Sequence, residues 1–226
     1  MACEVFCDFD GTVTKVDVVD ALLQRFARPE WMAIEEEWAS GKIGSRECLT
    51  RQMACLPPMS WEQITEFLNT IPIEEHFAKF VREMKTLRVP VVIVSDGFAP
   101  FIRHILEHHG IHVNRIVANE ITLDFNLSFP FAKMGCASGV CKCHVVASQN
   151  LRVFIGDGRS DFCAAGQADL VLAKKSLAEH CQRTGVPFTP YSNFADVSLA
   201  LAQNTRFLAA LPPTSIEAPY GSAKTV

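Results

Sequence analysis

The sequence has no excess of positive charge, no long hydrophobic run, no leader-like N-terminus and no internal repeat, and each absence removes a class of function. Its 226 residues carry 21 lysines and arginines against 25 aspartates and glutamates, a formal net charge of −4. A chain without polycationic character is poorly suited to nucleic acid or an anionic membrane as its main partner. The longest apolar run, "VPVVIV" at 89–94, falls far short of the roughly 20 residues that span a bilayer. Glu4 and Asp8 interrupt the apolar N-terminus, which therefore reads as no secretory leader. Cysteine is plentiful but odd in number: nine, scattered from Cys3 to Cys181, fit no complete disulfide framework. The expectation is a soluble, cytoplasmic chain with neither nucleic-acid nor membrane partners, and oligomeric state leaves no mark on the sequence.

What is present is a recurring form. "CEVFCDF" at 3–9, "RVPVVIVSDG" at 88–97, "NLRVFIGDG" at 150–158 and "ADLVLA" at 168–173 are apolar, β-branched runs, the first three ending in polar residues. Such continuously apolar strands belong to parallel sheets covered on both faces. "FAPFIRHILEHHG" and "KSLAEHCQRTG" read as helices closed by glycine. The order predicts an α/β fold, a doubly wound and mainly parallel sheet whose ligand site lies at the carboxyl ends of its strands. Residues 14–88 hold no strand. Instead "DVVDALLQRFA", "EWMAIEEEWA", "SRECLTRQMACL", "SWEQITEFLNT" and "EEHFAKFVREMKTL" are amphipathic, with Ser60 and Gln63 placed for a capping box in the fourth. The expected organisation is a core of residues 1–13 and 89–211, a helical cap at 14–88, a β-hairpin at 119–131 and a disordered tail at 212–226.

The chemistry collects at the strand ends. In an extended strand residues two apart share a face, so Asp8 and Asp10 of "CDFDGTVT" point together, and Gly11 permits the turn that follows. "GDGRSD" adds Asp157 and Asp161 at another strand end. Each piece alone has a plainer reading: a D-x-D as a turn or cap, "GDG" as a turn, Ser95-Asp96-Gly97 as a strand-to-helix connection. Together they bring up to four carboxylates to one sheet edge. Such a group needs positive charge, and Mg²⁺ binds through one or two carboxylates, waters and substrate phosphate oxygens.

In order and spacing, "DFDGTVT", "VVIVSDG", Lys142 and "GDGRSD" resemble the four motifs of the haloacid dehalogenase superfamily. The helical insertion after the first motif is similar to the subgroup containing phosphoserine phosphatase. "FARPEWMAIEEEW", "RQMACLPP" and the cysteine-containing segment before Lys142 most resemble the phosphatases of methionine salvage. The resemblance implies a Mg²⁺-dependent phosphatase acting on a small phosphorylated metabolite. Asp8 would be the nucleophile, forming an aspartyl-phosphate, and Asp10 the general acid and base. Ser95 and Gly97 would bind phosphate, and Lys142 would balance charge. Metal would be held by Asp8, the backbone carbonyl of Asp10, Asp157 and Asp161.

Substrate choice is expected in the cap. Asp17 stands where phosphoserine phosphatases carry a glutamate for the substrate's amino group. Arg51, or less readily Arg46, is a candidate for a polar substrate group, set against a solvated helix arginine. Asp96 either touches substrate or caps a helix, and Phe98 either walls the pocket or belongs to the core. Cys136, Cys141, Cys143 and His144 crowd Lys142, either as reduced thiols or as a metal site whose C-x₄-C-x-C-H spacing is unlike usual zinc patterns. The alternatives are phosphoserine or another small phosphate ester as substrate, transfer to an alcohol instead of water, and a receiver-like signalling phosphoacceptor, which lacks such an insertion.

Overall fold

Over residues 2–212, which the computed structural model describes, the chain alternates strand and helix much as the apolar runs predict. The expected tail lies, beyond Pro212, outside the described residues. Strand β1 (Cys3–Cys7) is followed by five helices, α1 (Val18–Phe26), α2 (Trp31–Ala39), α3 (Ser45–Met53), α4 (Trp61–Leu68) and α5 (Phe77–Thr86). Then come β2 (Val91–Phe98), α6 (Ala99–His108), β3 (Arg115–Ile121), β4 (Leu127–Ser128), the single turn α7 (Lys142–Val145) and β5 (Leu151–Gly156). A 3₁₀ turn at Arg159–Asp161 leads to α8 (Phe162–Ala165), β6 (Leu170–Ala173), α9 (Lys175–Thr184), β7 (Thr189–Pro190), α10 (Phe194–Gln203) and α11 (Thr205–Ala210).

The strands form one seven-stranded sheet in the order β4-β3-β2-β1-β5-β6-β7. All neighbours are parallel except β3 and β4. β1 lies in the middle, with Val5 opposite Val91 of β2 on one side and Val153 of β5 on the other. The connection from β1 to β2 runs one way and β5 returns to the other side. The carboxyl end of β1 is therefore a topological switch point, where open α/β sheets bind ligands.

Side chains alternate between two cores, as the strand period requires. Val5, Cys7, Ile93, Val153 and Ile155 face a cluster shared with α1, α4, α5, α6 and α10. Phe6, Val92, Val94 and Phe154 face a smaller one shared with α8 and α9. Phe194 shows how tightly a helix is pinned: its ring lies 4.8 Å from Phe77 and 5.1 Å from Phe80 of α5, all three fully buried. Burying a side chain of this size contributes about 1.5–3 kcal/mol.

The α2–α3 pair is different. Ile34, Cys48 and Cys55 form a small cluster of their own with Trp31, Trp38 and Ile43 packed against it. Ser60 and Gln63 make both bonds of the capping box at α4. Gly185 closes α9 in the left-handed conformation, at φ 74°. The β-hairpin expected at 119–131 is present as the antiparallel pair β3–β4, and its first strand starts earlier and joins the main sheet. β3 begins at Arg115 and pairs in parallel with β2, and its antiparallel partner β4 has two residues. Ala118 and Asn119 are wholly buried, as the sheet position of β3 requires.

Candidate active site

Asp8 follows the last residue of β1, and its N–H donates to the Ile155 carbonyl of β5 at 2.9 Å, so the sheet itself fixes the residue. Its carboxylate is buried beside a fully buried Lys142, whose Nζ donates to Asp8 Oδ1 at 2.6 Å, Asp161 Oδ1 at 2.6 Å and Ser160 Oγ at 3.0 Å. Burial pulls the Lys142 pKa down, but Asp161, Asp8 and Asp96 outweigh it and hold the ammonium above its ordinary value. Asp8 shifts well upward, first through burial and then through Asp161 and Asp157, with Lys142 opposing. The site is short of positive charge.

Asp10 is gripped from two directions. Oδ1 accepts from the N–H of Val18, the first residue of α1, at 2.9 Å. Oδ2 accepts from the Ser95 hydroxyl at 2.9 Å, and that hydroxyl oxygen accepts from Gly97 N–H at 2.8 Å. A Cβ on Gly97 would stand 2.9 Å from Asp10 Oδ2, so this contact needs glycine. Burial, then Asp17, raise the Asp10 pKa to about 7, a value suited to moving protons near neutrality.

Asp157 and Asp161 arrive from the end of β5. Asp161 Oδ2 accepts the backbone N–H of Asp157 and of Gly158, each at 3.0 Å, tying the loop to itself. Asp157 accepts from Thr12 Oγ1 at 3.2 Å and from Lys175 Nζ at 2.8 Å. Asp8, Asp157 and Asp161 each place a carboxylate oxygen within 4.8 Å of the others, all buried. A side chain at Gly11, whose φ is 71°, would collide with the Asp157 carboxylate. Three convergent hard oxygen donors, too little positive charge and a cradle kept clear by glycine suit a hard divalent cation.

These groups open into a cavity of about 420 Å³. Its far wall comes from the segment entering α1 and from α1, α2 and α3: Val16, Asp17, Val19, Asp20, Glu35, Trp38, Ser45, Cys48, Leu49 and Gln52 line it. Asp17 is at once a wall residue and the N-cap of α1, accepting from Asp20 N–H at 3.0 Å. Glu35 is held by the buried Gln52, whose Nε2 donates at 2.9 Å. Burial first and Asp17 second raise the Asp20 pKa to about 8, and burial raises Glu35 as well.

The remaining sequence candidates divide between the alternatives open to them. Arg51 does not line the cavity: its guanidinium holds Glu37 of α2 through two bonds, at 2.6 and 3.1 Å, and reaches Glu47 at 3.3 Å. A carboxylate pair across the α2–α3 contact competes successfully for it. Arg46 gives its backbone N–H to the Ala137 carbonyl at 3.3 Å. Asp96 caps no helix, since α6 has no side-chain cap; its Oδ1 accepts Val140 N–H at 2.6 Å, and the residue lines the cavity. Phe98 is a core residue, packed 5.5 Å from Phe101. All nine cysteines are free thiols, with Cys141 and Cys143 sulfurs 3.3 Å apart. Among the described residues, the groups of three that could share an ion are Asp8, Asp157 and Asp161, and Glu74, Glu75 and His76. Sequence reasoning missed Lys175, Ser160, Asp20, Glu35 and Gln52. Lys175 was findable, because it follows the fourth apolar strand and strand ends are where ligands bind.

The haloacid dehalogenase-like hydrolase family model matches residues 5–166. A 2-hydroxy-3-keto-5-methylthiopentenyl-1-phosphate phosphatase of Exiguobacterium sp. (strain AT1b) is 31% identical over 88% of this chain and 96% of its own. One from Geobacillus kaustophilus is 32% identical over 87% and 94%. A solved phosphoserine phosphatase in a phospho-aspartyl intermediate analogue form shares the fold, with a TM-score of 0.66 and 20% identity, covering 88% of this chain and 99% of that one. With its site at the switch point and this match along most of its length, the chain belongs to the haloacid dehalogenase-like hydrolases and is a phosphoric monoester hydrolase.

Proposed function

We propose that the chain hydrolyses a small phosphate monoester in two steps through a phosphorylated Asp8, and that 2-hydroxy-3-keto-5-methylthiopentenyl-1-phosphate is the substrate to test first. The carrying observation is the pairing of Asp8 with Lys142 at 2.6 Å, beside an Asp10 aligned by Ser95. In the first step an Asp8 carboxylate oxygen attacks phosphorus, the phosphorus–ester oxygen bond breaks, and Asp10 gives its proton to the leaving oxygen. In the second, Asp10 takes a proton from water as that water displaces Asp8, which releases inorganic phosphate and restores both carboxyls. Lys142 and Ser95 hold the charged groups in line, the main requirement of phosphoryl transfer.

Mg²⁺ would be held by Asp8, Asp157, the Asp10 carbonyl and Asp161, directly or through water. Bound there it supplies charge neutralisation for phosphate and nucleophile. Within residues 14–88, the α2–α3 hairpin is the part that would act as a cap, because it walls the cavity on a small hydrophobic cluster of its own. The names of the relatives support the methionine-salvage ester.

One observation favours a second substrate class. Asp17, Asp20 and Glu35 make the far wall acidic, which suits a substrate whose other end carries an ammonium group or several hydroxyls. Phosphate release should be measured with Mg²⁺ across the enol phosphate, O-phosphoserine, O-phosphoethanolamine and glycerol phosphate, with Asp8→Asn as control. Preference for the enol phosphate supports the first reading and preference for the amines the second. Near-normal turnover by D8N would end the mechanism.

A further inference from the structure

Arg159 stands in the loop between Asp157 and Asp161, yet it touches none of the reacting groups. Its guanidinium crosses to the far wall instead. Nη1 donates to the Trp38 carbonyl at 3.1 Å and the Ala39 carbonyl at 2.8 Å, and the guanidinium carbon lies 5.7 Å from the Trp38 ring centroid. Trp38 and Ala39 are the last two residues of α2, at the negative end of the helix dipole; the Trp38 carbonyl also accepts the Gly41 N–H at 2.9 Å, and Arg159 adds a charged donor to both carbonyls. The last turn of α2 has no basic residue of its own. The cation comes from a loop 120 residues away.

We infer that Arg159 is a positioning residue that clasps the α2–α3 hairpin onto the loop carrying Asp157 and Asp161, and so seats Trp38 as a wall of the cavity. The surroundings are shaped for this. Gly41, at φ 78°, sits so close that a Cβ would lie 3.2 Å from Arg159 Nη2. Trp38 Nε1 donates to Ser45 Oγ at 3.2 Å across the hairpin. α3 is anchored in the main core by Leu49 and Met53, whereas α2 buries only Ile34, in the small cluster, which leaves the end of α2 dependent on such contacts for its seat. Arg159 is exposed at the cavity rim, so the clasp can break without opening the main core. Closing it brings the indole over bound substrate and excludes water, and opening it releases product.

The inference rests on the cavity being the substrate site, so its test has one readout that needs no turnover. Hydrogen exchange is compared between wild type and Arg159→Ala, in the full chain with Mg²⁺. Amides of residues 38–42 should exchange roughly five- to tenfold faster in R159A, with the sheet unchanged. With any ester that the wild type hydrolyses, R159A should raise KM by about the same factor while kcat stays within about twofold. Arg159→Lys should recover part of both effects, because an ammonium keeps the charge but meets one carbonyl at a time. Unchanged exchange at 38–42 would overturn the clasp whatever the activity. A fall in kcat with KM and exchange unchanged would show that Arg159 acts on the reacting phosphate instead. An inactive wild type would defeat the proposed reaction alone, since the exchange result would still decide the clasp.

Discussion

Lys142 Nζ lies 2.6 Å from Asp8 Oδ1, though 134 residues separate the two, and the same ammonium is 2.6 Å from Asp161 Oδ1. One cation thus joins two buried carboxylates that otherwise repel. Removing it leaves uncompensated buried charge, so Lys142→Met is expected to lose turnover and roughly 3–5 kcal/mol of stability. Asp8→Asn should do the reverse to stability: it relieves repulsion from Asp161 and Asp157 while Lys142 keeps Asp161 and Ser160. The two substitutions should also couple, the double variant losing less stability than Lys142→Met alone. Urea unfolding of the three variants in chelator checks this, and a D8N protein less stable than wild type would refute the repulsion account.

In the proposed mechanism Asp10, with a pKa raised to about 7, carries a proton into the first chemical step. The rate constant kcat/KM for an alkyl phosphate is therefore expected to fall as pH rises through that value. p-Nitrophenyl phosphate has a leaving group that needs no proton, so its profile should lose the decline. Asp10→Asn should cost the alkyl ester about 10²-fold or more and the nitrophenyl ester much less. Identical profiles for both esters would remove Asp10 from the acid role.

Arg51 offers a sharper contrast between sequence and structure. Its guanidinium is taken up by Glu37 and Glu47 on the outer side of the hairpin. Arg51→Ala is expected to leave KM unchanged for every substrate and to lower stability slightly, because an exposed pair contributes little. A severalfold rise in KM for one class of ester would show that the side chain turns inward to substrate.

Much of the catalytic half was legible because its signals are local. An apolar strand ending in acids gives both the element and the direction of Asp8 and Asp10, and the parallel topology puts the ends of β1, β2 and β5 side by side. The far wall was not legible in the same way. Asp20, Glu35 and Gln52 sit on amphipathic helices, where a polar residue facing a cavity looks the same as one facing water. The pairing of Arg51 is hidden for the same reason: its partner Glu37 is on a different helix, and no spacing within α3 announces that contact. The hairpin at 119–131 was legible from its alternation, but not the start of β3 at Arg115: "RIVANEI" mixes polar residues into a buried strand, and Asn119 finds its partner only in the folded chain, at the Asp96 carbonyl.

The acidic wall has a consequence for stability that is independent of catalysis. Burial first, then Asp17, Glu35 and Asp10, raise the Asp20 pKa from 3.8, its ordinary value in an unfolded chain, to about 8 in the folded one. The folded chain therefore holds this proton over a range in which the unfolded chain has released it. Stability from this group is complete below the unfolded value, declines as pH rises from about 4 to about 8, and then levels off. Asp10 and Asp17 shift in the same direction, so the wild type alone does not isolate Asp20. Asp20→Asn does, since it removes one titration and its repulsion of the others. The stability difference between Asp20→Asn and wild type, followed by urea unfolding between about pH 5 and pH 8, should grow in favour of the variant as pH rises. A saturating amine-bearing phosphate ester should shrink that difference at pH 8, its ammonium group neutralising the wild-type wall, whereas glycerol phosphate should not. Parallel stability curves across the range would show that Asp20 is solvated like a surface carboxylate, and the acidic wall would then give no reason to favour an amine-bearing substrate.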